Sequence, residues 1–351
     1  MAIARVLRRV FFFSLWVVAL PIAADAQAPA RAEGLDTARV VRAANALLAT
    51  LDEAQRRTVV YAFNDETQRQ RWSNLPTAMV PRGGIRLREM TSAQRESVTA
   101  LLSVVLSARG LEKVEQIMQA DEVNKRGSGG ARSDLFGKDL YYLSFLGKPS
   151  EKDPWMIQFG GHHLALNITI AGARGVLTPT LTGAQPAIYT LNGKTIRPLA
   201  AESDQAIALL NALDAQQRKR AILNYRVANL VLGPGEDGKT IQPEGLKVAA
   251  MNAQQKALLL ELISQWTGIL NEGASRVRMA QMKEDIEQTW FAWSGPTTVA
   301  SGSNITAYYR IQGPHLVIEY APQGTGEEGA LHVHTMYRDP TNDYGRSLVS
   351  K

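Results

Sequence analysis

Phe159-Gly-Gly-His-His-Leu-Ala-Leu-Asn167 and Ile311-Gln-Gly-Pro-His-Leu-Val-Ile-Glu319 read as two versions of one segment. In both, glycine and histidine precede an apolar run of strand composition, starting at Leu164 and at Leu316. The likeness continues outward. Ala208-Leu-Leu-Asn-Ala-Leu-Asp214 repeats Ala46-Leu-Leu-Ala-Thr-Leu-Asp52 at a spacing of 162, Ala253-Gln254 repeats Ala93-Gln94 at 160, and His315 repeats His163 at 152. Short loop deletions produce such a slowly shrinking spacing. The chain therefore reads as two copies of one unit, 37–200 and 201–351, a duplicated domain rather than a solenoid.

Each copy places helical periodicity before strand alternation. Val40, Val41, Ala44, Leu47 and Leu48 fall at helical spacing from Thr37 onward, and Thr50 and Glu53 have capping-box spacing. Thr91 and Gln94 form a second box. It opens a helix whose Val98, Leu101, Leu102, Val105 and Leu106 share a face, with Gly110 expected to end it. Strand patterns follow over 139–146, 155–159, 164–171 and 176–181. The expected class is α+β: two similar halves, each an amphipathic helical layer packed on a mostly antiparallel sheet.

The 351 residues are 45% hydrophobic and 21% charged, ordinary for a globular chain long enough to bury a core. The net charge of +6 is scattered among acids with no Lys/Arg block, which argues against a nucleic-acid partner. The lack of cysteine excludes disulfides, thiolate metal sites and cysteine nucleophiles. Gly-x-Ser-x-Gly is missing too, and no glycine loop followed by Lys-Ser/Thr is present to cradle phosphate. The expected partner is a small-molecule substrate or ligand.

Residues 1–26 have the layout of a signal peptide. Arg5, Arg8 and Arg9 precede the apolar run Val10 to Leu20, and Ala24-Asp25-Ala26 fits a small-x-small cleavage pattern. Residues 27–36 read as a linker. Cleavage leaves no membrane segment, so a periplasmic or secreted location is expected. Arg8-Arg9-Val10-Phe11-Phe12 also resembles a twin-arginine signal, a route used by folded, cofactor-loaded proteins, while the apolar run suits the general route.

Trp72-Ser-Asn-Leu-Pro76, Phe159 to Asn167, Pro179-Thr-Leu-Thr-Gly-Ala-Gln-Pro186 and the segment from His332 to Gly345, together with the leader, resemble the uncharacterised family catalogued as domain of unknown function 3500 (DUF3500). The resemblance runs from about Leu47 to Gly345. It implies a mostly bacterial, often exported family and carries no catalytic residue across.

All five histidines fall in the strand-like segments: His162, His163, His315, His332 and His334. Successive strand side chains point to opposite faces, so His332 and His334 share a face. His162 and His163 diverge unless Gly160-Gly161 forms a bulge. A His-x-His pair joined by one or more of the other histidines is a donor set for a transition metal such as zinc or copper. Asp339 and Asp343 follow in a turn-rich loop and are candidates for a catalytic carboxylate. The favoured reading is a His-ligated metal-dependent enzyme. The alternative is a non-catalytic exported binding protein whose sheet histidines bond to backbone groups.

Overall fold

The computed structural model describes residues 34–349; the expected leader, and the linker as far as residue 33, lie outside them. The first half runs α1 (Thr37–Thr50), α2 (Glu53–Val59), β1 (Val60–Tyr61), α3 (Glu66–Arg69), β2 (Ile85–Arg86), α4 (Ser92–Val105), α5 (Ala108–Gly127), β3 (Tyr142–Leu146), β4 (Trp155–Gly161), β5 (Leu164–Ala171), β6 (Arg174–Val176) and β7 (Thr180–Ala184). The hairpin of β8 (Tyr189–Leu191) and β9 (Lys194–Ile196) leads into the second half. There follow α6 (Ala200–Ala212), α7 (Ala215–Ala221), β10 (Leu246–Lys247), α8 (Ala253–Thr267), α9 (Glu272–Glu284), β11 (Trp290–Ser294), β12 (Tyr308–Gly313), β13 (Leu316–Pro322), α10 (Gly326–Leu331), β14 (Val333–Arg338) and α11 (Arg346–Val349). None of these helices is long and apolar enough to cross a membrane.

The helix boundaries follow local chemistry. Thr91 accepts from the Gln94 N–H and Gln94 returns the bond to Thr91, the expected box at the head of α4. Thr50 is not a cap. It is the last residue of α1, and the box belongs to Asp52 and Gln55 two residues on. Two further boxes, Asp214 with Gln217 and Asn252 with Gln255, open α7 and α8. Gly110 does not end a helix either. Ser107 caps α5 by accepting from the Gly110 N–H, and a side chain at Gly110 would meet the Ile269 carbonyl at 2.2 Å. Glycine therefore lets α5 and the end of α8 touch.

Twelve strands form one α+β sheet, with β1-β3-β4-β5-β7-β14-β13-β12-β11-β10 as its main path and β2 and β6 as side strands. All pairings are antiparallel except β1 with β3. Two apolar clusters join the helices to the sheet, one around Leu47, Leu101 and Ile157, the other around Leu262, Trp266 and Tyr309. The opposite face is also covered. There Trp72 and Leu230, from long loops, pack on Ala165, Leu181 and Met336. That explains why all eight residues of β5 are buried instead of alternating. The centre of the sheet is the β7–β14 pair, where Thr182 and Thr335 share a hydroxyl bond of 2.7 Å.

Candidate metal centre

His162 and His163 are the two turn residues of the β4–β5 hairpin. The ladder continues without a bulge through Gly160↔Ala165 and Gly161↔Leu164. The two rings come together because the chain reverses there, not because a strand bulges. His163 has φ 60°, a left-handed conformation that costs a non-glycine residue roughly 1 kcal/mol. The Tyr141 hydroxyl donates to the His162 carbonyl at 2.8 Å and holds the turn. The His162 and His163 ring centroids lie 3.7 Å apart.

The second contribution comes from the start of β14. His332 caps α10 in an extended conformation (φ −136°, ψ 110°), so it keeps the alternation of the strand and shares a face with His334. Gly183 lies opposite His334 on β7. A Cβ there would meet the Val333 carbonyl at 2.7 Å, the His334 ring at 3.2 Å and the His163 ring at 3.3 Å. The missing side chain is the space in which the two imidazoles meet.

The third contribution is the loop holding Trp72-Ser-Asn-Leu-Pro76. The Arg82 guanidinium donates to the carbonyls of Ser73 (2.8 Å), Leu75 (2.7 Å) and Gly161 (3.1 Å), tying this loop to the hairpin turn. Burial pushes its pKa down to about 10, so it remains a cation at neutral pH. The Asn74 carbonyl accepts the His163 N–H at 3.4 Å, and the Asn74 amide faces His334 Nδ1 at 3.5 Å. Asn74 turns its Nδ2 to that nitrogen; turning the amide end for end would let Oδ1 accept Nδ1–H and leave the Nε2 lone pair free for a metal.

These pieces converge on one point. His332 Nε2 is 3.1 Å from His163 Nε2 and 3.1 Å from His334 Nε2, and one ligand atom of each ring lies within 4.8 Å of the others. An imidazole nitrogen offers one proton or one lone pair. His332 Nε2 can therefore make one good hydrogen bond, and its second close contact is unsatisfied. A cation accepting three lone pairs removes that conflict. Bonds of about 2.0–2.1 Å place neighbouring ligand nitrogens about 2.8–3.4 Å apart in octahedral or tetrahedral geometry, a range that includes the two 3.1 Å contacts at His332.

Burial also sets the charge state. Desolvation, followed by the neighbouring His162, His334 and His332, holds His163 well below the ordinary histidine range. Desolvation does the same for His334, with His332 and His162 contributing. His332 is lowered to about 4, by burial first and His162 second. All three are neutral at pH 7, the form that binds metals. His162 points elsewhere: its Nδ1 meets Asp121 Oδ1 at 2.6 Å, and it props the His163 ring. His332 is half-buried and forms part of the wall of a cleft of about 550 Å³ between α5 and α10.

The other expected site residues lie elsewhere. His315 is in the β12–β13 turn, where its Nδ1 bonds Thr341 Oγ1 at 2.8 Å. It is not part of the three-histidine group. Asp339 lies five residues beyond His334, about 17 Å away along an extended strand. It pairs with Arg278 at 2.9 Å, and Asp343 pairs with Arg338 at 2.8 Å while accepting the Asp339 N–H. Both carboxylates close the far end of β14 and cannot reach an ion at the histidines. Asn74, Arg82, Asp121 and Gly183 serve the site without having been expected. Only Gly183 carried a local signal, a glycine inside a strand.

No curated protein and no solved structure matches the chain. A family does, over residues 33–346. On that match the chain belongs to the family described as a protein of unknown function, DUF3500.

Proposed function

We propose that His163, His332 and His334 bind one transition-metal ion through Nε2, and that the protein is an exported metal-dependent enzyme. The observation that carries this reading is the pair of 3.1 Å contacts meeting at His332 Nε2, which imidazole protons alone cannot satisfy. Zinc suits the donor set best, because three neutral nitrogens with one open position is a catalytic zinc arrangement. Of the three histidines His332 lines the cleft, and the open position is assigned to that side. The ion would act there as a Lewis acid. A carrier or structural site would close the shell with a fourth protein ligand, and among the described residues the metal-binding group has three members. Asp339 and Asp343 have no catalytic role in this reading.

Export is supported by the charged and apolar layout of residues 1–26. Descent from two copies of one unit is supported by the paired capping boxes and by the antiparallel series β3-β4-β5-β7 and β11-β12-β13-β14, which meet at the centre of the sheet. Metal analysis of protein purified from the periplasm tests the central claim. One ion per chain is expected, and it should be lost in the His332→Ala/His334→Ala double variant. Metal retained by that variant would contradict it.

A further inference from the structure

On the reading above a substrate approaches the ion from the cleft lined by His332, and the charged residues lining that cleft are of one sign. Glu327 and Glu328 line it, alongside the amides of Asn124 and Gln185, and no lysine or arginine does. Both glutamates are exposed. Among the described residues neither forms a salt bridge. Along α5, Arg126 faces Glu122 at 3.8 Å, and the Lys125 charge lies near Asp139, whose pKa it helps to lower.

The acids are also tied to the site by backbone. The His332 N–H donates to the Glu328 carbonyl at 3.0 Å, so the last turn of α10 ends on a metal-site histidine. A divalent ion on three neutral imidazoles carries its full charge and would draw in anions. Two unpaired carboxylates at the mouth offset that charge. What remains attractive is a coordinating atom on an uncharged molecule, with two amides placed to hydrogen-bond it.

We propose that Glu327 and Glu328 select against anions at the open metal position, and that the substrate is a small uncharged molecule presenting an oxygen or nitrogen to the ion. This rests on the metal reading above. The test uses the full mature chain loaded with cobalt(II), whose visible spectrum reports each new ligand. Azide is the anionic probe and imidazole the neutral one, titrated into the parent and into the E327Q/E328Q variant. Both positions are exposed, and the cobalt spectrum itself reports an intact site. The variant should bind azide about tenfold more tightly, with imidazole binding changed less than about twofold. Unchanged azide affinity in the variant overturns the selection role while leaving the metal site standing. A parent chain that gives no cobalt spectrum overturns the metal reading, and this inference with it.

Discussion

In the β4–β5 turn, His163 is left-handed and buried, with its Nε2 3.1 Å from His332. In the β12–β13 turn, His315 is half-buried and its Nδ1 meets the Thr341 hydroxyl at 2.8 Å. The two hairpins share the order glycine, histidine, leucine, and both have two-residue turns flanked by the pairs Gly161↔Leu164 and Gly313↔Leu316. What differs is what each turn faces. The first meets the start of β14, with His332 and His334, and the Asn74 loop. The second meets the far end of β14, where Arg278 and Arg338 bind Asp339 and Asp343. Similar local sequence placed both histidines in two-residue bends, and distant sequence decided which one came to sit beside His332 and His334.

The sharpest break in the comparison comes from the ligands themselves. Replacing His163, His332 or His334 by alanine should weaken zinc binding by about a thousandfold or more in isothermal titration, since the open site has only three protein donors. His315→Ala should leave it within about twofold. Equal losses from His163→Ala and His315→Ala would erase the distinction drawn here.

The far end of β14 should respond in stability instead. Arg338 is buried, pairs with Asp237 at 2.9 Å and Asp343 at 2.8 Å, and donates to the carbonyls of Leu232 and Gly233. Arg338→Ala strands two carboxylates and should cost about 3–5 kcal/mol in urea unfolding. The surviving folded fraction should bind zinc as the parent does. Weaker zinc binding there would mean that the two ends are coupled.

Supporting residues come next. Asn74→Ala and Gly183→Ala should each weaken zinc binding by about 10–100-fold, one by freeing the His334 ring, the other by pushing two rings apart. Thermal unfolding of each apo variant separates this from loss of the fold.

The last effect is on pH and concerns the metal-free protein. In metal-free protein the three buried histidines have folded-state pKa values below the unfolded value of about 6.5, so the unfolded chain binds more protons. Stability is therefore intact above about pH 6.5 and falls as pH drops, with His332 ceasing to contribute near pH 4. Each histidine contributes up to about 1.4 kcal/mol per pH unit in that window. A flat stability profile between those limits would show that the rings are solvated.

Much of the scaffold was readable in advance. The Thr91–Gln94 box, the strand run 164–171 and the parallel between His163 and His315 all rest on short-range patterns, which local physics specifies. The shared face of His332 and His334 follows from strand alternation and held even though His332 precedes the strand. The rest depended on contacts far apart in sequence. Asp121 orients His162 from α5, and Arg82 ties the Asn74 loop to Gly161. Nothing near those residues marks them for the site. Asp339 and Asp343 look catalytic in sequence because they follow the histidines closely, but an extended strand carries them to the opposite end of the sheet.

Anomalous diffraction at the zinc edge, from crystals grown with one equivalent of zinc, tests the account most directly. It predicts one peak about 2.0–2.2 Å from the Nε2 atoms of His163, His332 and His334, with a fourth position open to the cleft. A peak at His315 and Asp339, or none at the three histidines, would contradict it.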